Sequence, residues 1–128
     1  MTLHSISSTS MSALRHSRDE LFVADIVAWA KQQIAWALDS RDDPELTRRA
    51  RLTVRFGQRY GVEDENDLAL LFGALHVAGP GLAREEAFQH SLGHLGAEER
   101  RQLLFDVLSG VVAFSQRYGG SNWTLTLG

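Results

Sequence analysis

The feature that most constrains the fold of this chain is the width of its apolar helical faces. Between residues 21 and 38, apolar side chains recur at spacings of three and four, in two neighbouring stripes that cover well over half of a helical circumference. The stripes contain Phe22, Ile26, Trp29 and Trp36, and Val23, Val27, Ala30, Ile34 and Leu38. A surface helix needs an apolar arc of only about 100°. This segment is therefore predicted to lie at the centre of a bundle, or to share one side with another molecule.

The start of the first helix is predicted from a capping box. Ser17 is followed three residues later by Glu20, so each side chain can satisfy a free amide, and the helix is expected to begin near Arg18. The preceding residues 1–17 are polar and Ser-rich, and they lack the apolar stretch of a secretory signal. They are predicted to form a flexible arm of a soluble, cytoplasmic protein.

Glycine and proline punctuate the rest of the chain. Asp43 followed by Pro44 predicts a second helix capped by Asp43, which runs to about Tyr60 and stops at a left-handed Gly61. Further helices are predicted from about 65 to 78, from 84 to 91 and from 97 to 118, and the tail alternates in the manner of a strand. The predicted fold is all-α: a compact bundle of four main helices plus a short helix over residues 18–120, with a flexible N-terminal arm (1–17) and an extended C-terminal tail (121–128).

Charge and cysteine content exclude several classes of function. The formal charge of −3 gives no general attraction to nucleic acid or anionic lipid. The chain has no cysteine, which removes disulfides, thiolate metal sites and thiol nucleophiles. Asp25, Lys31, Gln32 and Gln33 interrupt the longest apolar run too often for a membrane span. We therefore expect no nucleic-acid partner, no membrane partner and no cofactor.

Three side chains in the second half of the chain have the spacing of a metal site. Glu86, His90 and His94 fall at i, i+4 and i+8, so a continuous helix would align them on one face, where they could hold zinc or another divalent ion. Gly93 weakens such a helix, and Ser91 stands where zinc proteases have a glutamate. The main prediction is that the chain holds no metal, with these three residues as the alternative.

No complete catalytic set is visible. His76 lies in an apolar helix, where a hydrogen bond to a backbone carbonyl is the expected role of a histidine. Ser91, Ser109 and Ser115 lack the sharp G-x-S-x-G turn of serine hydrolases. The chain is therefore predicted not to be an enzyme.

Arginines recur on the polar side of the second helix, from residue 48 to residue 59 at spacings of three and four. Guanidinium groups on adjacent turns can bind carboxylates or phosphates, so an acidic protein or nucleic acid could dock here. They could also form a solvated face paired with the acidic stretch 63–67. With the two tryptophans of the first segment, they complete the predicted partner-binding set: Trp29, Trp36, Arg48, Arg51, Arg55 and Arg59.

Residues 55–82, RFGQRYGVEDENDLALLFGALHVAGPGL, resemble small helical bacterial proteins encoded beside type VI secretion effector and spike-tip genes. The matching positions are Tyr60, Gly61, Asp67, Phe72, Gly79 and Pro80, whereas Leu82 stands where the pattern has Phe. The resemblance implies an accessory role near a secreted toxin, as an adaptor or chaperone that holds an effector, or as an immunity protein that blocks one.

The sequence therefore predicts a non-enzymatic helical module that binds another protein, possible partners being a secreted effector or a second copy of this chain in a homodimer. The alternative is a metal-binding protein or metal-dependent enzyme that uses Glu86, His90 and His94.

Overall fold

A computed structural model of the chain describes residues 8–38 and 42–109, together with Trp123 and Leu127. The helices are α1 (Ser8–Gln33), a short 3₁₀ helix (Ala35–Ala37), α2 (Asp43–Arg59), α3 (Glu65–Ala78), a second 3₁₀ helix (Pro80–Arg84), α4 (Glu86–His94) and α5 (Ala97–Ser109). No strand occurs among these residues. The predicted all-α fold is confirmed.

The first helix differs from the prediction at both ends. It begins at Ser8 rather than near Arg18, so the part of the predicted arm from residue 8 to residue 17 is helical. No glycine or proline stands between Ser8 and the capping box, so nothing in the sequence stops a helix from continuing through it. At the other end α1 stops at Gln33, and Trp36 belongs to the tighter 3₁₀ helix instead of the α1 stripe.

The predicted starts and stops of the middle helices are largely confirmed. Pro44 lies in the first turn of α2, although the cap is Asp42 and Asp43 is already helical. The left-handed stop at Gly61 is present, with φ of 81°, and Gly79 ends α3 with φ of 103°. The predicted short helix from 84 to 91 is a 3₁₀ turn followed by α4, which extends to His94.

The end of the chain departs from the predicted extended tail. Trp123 and Leu127 both have helical backbone, and both are buried. A spacing of four places two residues on one face of a strand and equally on one face of a helix, so alternation alone could not separate the two. The α5 start at Ala97 is confirmed, and the prediction that this helix extends to residue 118 lies outside the described residues.

The central helix of the bundle is α3. It packs against α1, α2 and α5, and its fully buried side chains include Leu68, Leu71, Phe72 and Leu75. A helix that is apolar on nearly every side is stable only when it is enclosed. The predicted central position therefore belongs to α3, whereas α1 buries one side and exposes the other.

Close helix packing depends on Gly73 in α3. A Cβ atom at this position would lie 2.8 Å from Leu108 Cδ1 and 3.2 Å from Trp29 Cη2. The missing side chain lets α1 and α5 approach α3 on either side and sets where the Trp29 ring rests. None of the described helices combines the length and hydropathy needed to cross a membrane.

Candidate partner-binding site

Two of the four arginines that face outward from α2 are neutralised by acids of the same chain. Arg48 donates to Glu45 through Nε and Nη2, at 3.0 and 2.7 Å. Arg51 makes a bidentate pair with Glu20 of α1, at 2.8 and 3.0 Å. Such pairs hold the guanidinium forks in place, so an acidic partner would have to displace carboxylates that are already bound.

The last two arginines of the row have different roles. Arg59 donates from Nη2 to the backbone carbonyl of Leu127 at 2.8 Å and so holds the C-terminal segment. Arg55 is exposed, and the described residues offer it no hydrogen bond or ion pair. The acidic stretch 63–67 does not pair with this row, because Asp64 and Asp67 bind Arg101 of α5 instead. The four arginines therefore do not form one free cationic surface.

Glu45 is the carboxylate that most strongly reflects this neutralisation. The hydrogen bond from Arg48 is the main reason that the pKa of Glu45 falls from its ordinary 4.5 to about 2, partial burial opposes the shift, and Arg49 adds to it. The carboxylate is therefore charged at all ordinary pH values. It accepts from Arg49 Nε at 2.9 Å as well as from Arg48.

Arg49 was missed as a structural residue by sequence reasoning. Its side chain is only 5% exposed, its Nη1 lies 3.2 Å from His76 Nε2, and its guanidinium carbon lies 5.3 Å from the centroid of the Trp123 ring. Arg49 follows Leu46 by three residues and precedes Thr53 by four, which places it on the core face of α2. That register was the available signal, and it distinguishes Arg49 from its outward neighbours.

The predicted role of His76 is confirmed. Its Nδ1 lies 2.9 Å from the carbonyl oxygen of Phe72, which can only accept, and its Nε2 faces Arg49, which can only donate. These two contacts require the neutral ring with its proton on Nδ1. The centroid of the His76 ring also lies 4.5 Å from that of the Trp123 ring, so His76 and Arg49 together hold Trp123 against α2 and α3.

The two predicted tryptophan anchors are separated by the structure. Trp29 is half-buried, packs against the core and lines a cleft between α1 and α3. Trp36 stands on the 3₁₀ helix with 71% of its surface exposed. The pair therefore does not form one hot spot with the arginine row, and only Trp29 lies in a concave surface.

That cleft is an open groove of about 380 Å³ whose walls include Asp25, Trp29, Glu65 and Leu70. Asp25 comes from α1 and Glu65 from the first turn of α3, so the two carboxyls meet across the groove. Their mutual hydrogen bond is the largest cause that raises the pKa of Glu65, followed by burial and by the charges of Asp25 and Asp64. The two carboxyls therefore share this part of the groove, and none of the described residues that line it is a cation.

A second hollow, of about 390 Å³, adjoins the first and is lined by residues of α3 and α5, among them Leu70, Glu98 and Phe105. Leu70 lines both hollows, so the two meet at this side chain. Phe105 is 54% exposed beside it. We call this surface the acidic groove and define it by Asp25, Trp29, Glu65, Leu70, Glu98 and Phe105.

The cation at the rim of the acidic groove is already engaged. Arg101 lines the second hollow, but its Nε donates to Asp67 at 2.7 Å and its Nη2 lies 3.7 Å from Asp64. The Asp67 side chain is 2% exposed and is held by this contact between α3 and α5. Asp67 is therefore the residue that fixes α5 and with it Phe105.

The structure does not bring the alternative metal ligands together as a set. Among the described residues, no group of three or more His, Asp or Glu side chains is close enough to hold a metal ion. The rings of His90 and His94 stack at 4.0 Å with an interplanar angle of 17°, and His94 Nδ1 lies 2.9 Å from the His90 carbonyl oxygen. Ring lone pairs in nearly parallel planes do not converge on one ion at the roughly 2.0–2.1 Å that zinc requires.

Comparison of the chain with protein-family models, with curated proteins and with solved structures finds no match.

Proposed function

We propose that this chain is a non-enzymatic helical module that binds another protein through the acidic groove. The observation behind the proposal is Phe105, a large aromatic residue left 54% exposed beside the groove that Leu70 and Trp29 line. Single exposed apolar residues are ordinary, but aromatic side chains that border a concave apolar surface are typical of binding sites. Trp36, at 71% exposure, is a second and separate candidate contact.

The resemblance of residues 55–82 to accessory proteins encoded beside type VI effector genes supports a more specific role. We propose that the partner is a secreted effector, which the chain holds as an adaptor or chaperone, or blocks as an immunity protein, in the bacterial cytoplasm. In either role the partner is a protein rather than a small substrate, and no catalytic residue is needed.

Affinity capture of the tagged chain from its own host, with crosslinking and quantitative mass spectrometry, tests this function. We expect one protein to be recovered in near-stoichiometric amount, to be lost with Phe105→Ser and to be retained with Ala87→Ser, an exposed position on α4. Trp36→Ser shows whether the second aromatic residue contributes. Recovery that is the same for wild type and Phe105→Ser would contradict the proposed surface, and recovery of no protein above an unrelated helical control would contradict the function.

A further inference from the structure

The charge of the acidic groove specifies the kind of segment that it binds. We infer that the acidic groove takes an amphipathic helical segment of a partner protein, in which Lys or Arg side chains stand beside large apolar ones. This inference rests on the proposed function and names the chemistry of the partner at the same surface.

The apolar half of the inference comes from the floor and rim of the groove. Trp29 and Leu70 are only partly buried. Both pack against the core, and both line the groove. Phe105 extends this apolar surface onto α5. A continuous apolar strip between helices matches the apolar stripe of an incoming helix, whose anchors recur at i, i+3 or i+4 and i+7.

The basic half comes from the carboxylates of the groove. Asp25 and Glu65 meet at one hollow and Glu98 lines the other. Arg101 is the only cation that lines either hollow among the described residues; it is held by Asp67 and Asp64, and the charge of Glu98 also acts on it. A Lys or Arg placed between Asp25 and Glu65 would remove their repulsion and leave both charged, which is a favourable change that an apolar or acidic segment cannot provide.

The same charges argue against a second copy of this chain as the occupant. A two-fold symmetric dimer places the same patch of each subunit against its counterpart, so the carboxylates of the groove would face their own copies. The arginine row offers little compensation, because Glu45, Glu20 and the Leu127 carbonyl already occupy three of its four members. A basic segment of another protein satisfies the groove without displacing any of these contacts.

Fluorescence anisotropy with three labelled peptides of equal length tests the inference. One is an amphipathic Leu/Lys helix, the second replaces every Lys with Glu, and the third keeps Lys but replaces every Leu with Ser. We expect the Leu/Lys peptide alone to bind, with affinity that falls as salt is added because exposed charges are screened.

Variants of the protein then locate the binding. The pair Asp25→Asn with Glu65→Gln keeps the shape of the groove and is expected to weaken the Leu/Lys peptide about tenfold, as is Phe105→Ser. The matched control, Glu85→Gln with Glu86→Gln, removes two exposed charges from the start of α4 and is expected to leave the affinity within about twofold. Circular dichroism and thermal melting confirm that each variant is folded before binding is compared.

Two results would overturn the inference. One is equal binding of the Leu/Lys and Leu/Glu peptides, or binding that both groove variants leave unchanged. The other is a wild-type chain that sediments as a dimer and becomes monomeric with Phe105→Ser, which would make a second copy the occupant. Either result leaves the proposed function standing if the capture experiment still recovers a partner, so the two failures are distinguishable.

Discussion

The outer face of α2 and the acidic groove are both rich in charged side chains, but they differ in how those side chains are paired within the chain. On α2, three of the four outward arginines are bound by Glu45, by Glu20 or by the Leu127 carbonyl. In the acidic groove, Asp25 and Glu65 share a hydrogen bond, the pKa of Glu65 is raised, and no cation stands among the described residues that line this hollow. Internal pairing is typical of a surface that serves the fold, whereas carboxyls beside exposed apolar side chains are typical of the binding surface proposed above.

This contrast bears on the charge that a partner is expected to carry. From sequence, the arginine row could be a solvated face, or it could bind an acidic protein or nucleic acid. Three of its four members are bound within the chain, whereas the carboxyls of the groove line the same hollows as Trp29 and Phe105. Aromatic side chains are enriched at binding hot spots, so the partner proposed for the groove is basic.

The largest expected effect tests how much the core-facing arginine of α2, Arg49, contributes to the fold compared with an outward arginine of the same helix. Arg49→Ala should lower the free energy of unfolding by about 3 kcal/mol, because it removes a buried cation that pairs with Glu45 and stacks on Trp123. Arg49→Lys should recover only part of the loss, since a lysine lacks the planar fork. Urea unfolding measures both. Arg55→Ala removes an exposed arginine from the same helix and is the control. An equal loss of unfolding free energy at the two positions would contradict the structural role of Arg49.

The next effect tests the contact that positions the groove. Arg101→Ala leaves the buried Asp67 carboxylate without this partner, which should destabilise the fold. Adding Asp67→Asn removes the stranded charge and should restore part of the stability. Thermal unfolding of both single variants and the double variant gives the coupling energy. Additive losses would show that Asp67 and Arg101 do not act together.

A smaller effect concerns acid stability on the α2 side. The pKa of Glu45 is lowered from 4.5 to about 2 in the folded chain. The contribution of this carboxylate to folding stability is therefore complete above pH 4.5 and is lost as pH falls towards 2. Glu45→Gln should cost about 1 kcal/mol at neutral pH. The difference from wild type should shrink through this acidic window in urea titrations. Glu86→Gln, at an exposed position, is the control for the loss of one carboxyl.

The smallest expected effect is a gain in folding stability rather than a loss, and it concerns the acidic groove. Asp25→Asn should stabilise the free chain by about 0.5 kcal/mol at neutral pH, because it relieves the repulsion with Glu65. A raised pKa means that protonation of Glu65 favours the folded state, so the repulsion is absent in acid and grows as pH rises through the folded-state pKa. The gain should therefore vanish at acidic pH in thermal melts. A loss of stability at neutral pH would mean that the acidic pair supports the fold.

Local patterns predicted the helices and several of their ends, because the responsible physics is local. Pro44 opens α2, Gly61 and Gly79 stop α2 and α3 with positive φ, and Ala97 opens α5. The same local logic failed for α1, since a capping box permits a helix start but does not prevent an earlier one. It also failed for Trp123 and Leu127, whose spacing fits a strand as well as a helix.

Residue types and spacing therefore determined that this chain is a helical bundle. They also showed that the apolar arc of residues 21–38 is wider than a surface helix needs. Which charges are free was decided only by tertiary structure, because the partners are far apart in sequence: Arg51 meets Glu20, Arg101 meets Asp67, and Asp25 meets Glu65. A charge is neutralised by whatever the fold brings within a few ångströms of it, and periodicity along one helix carries no information about that distance.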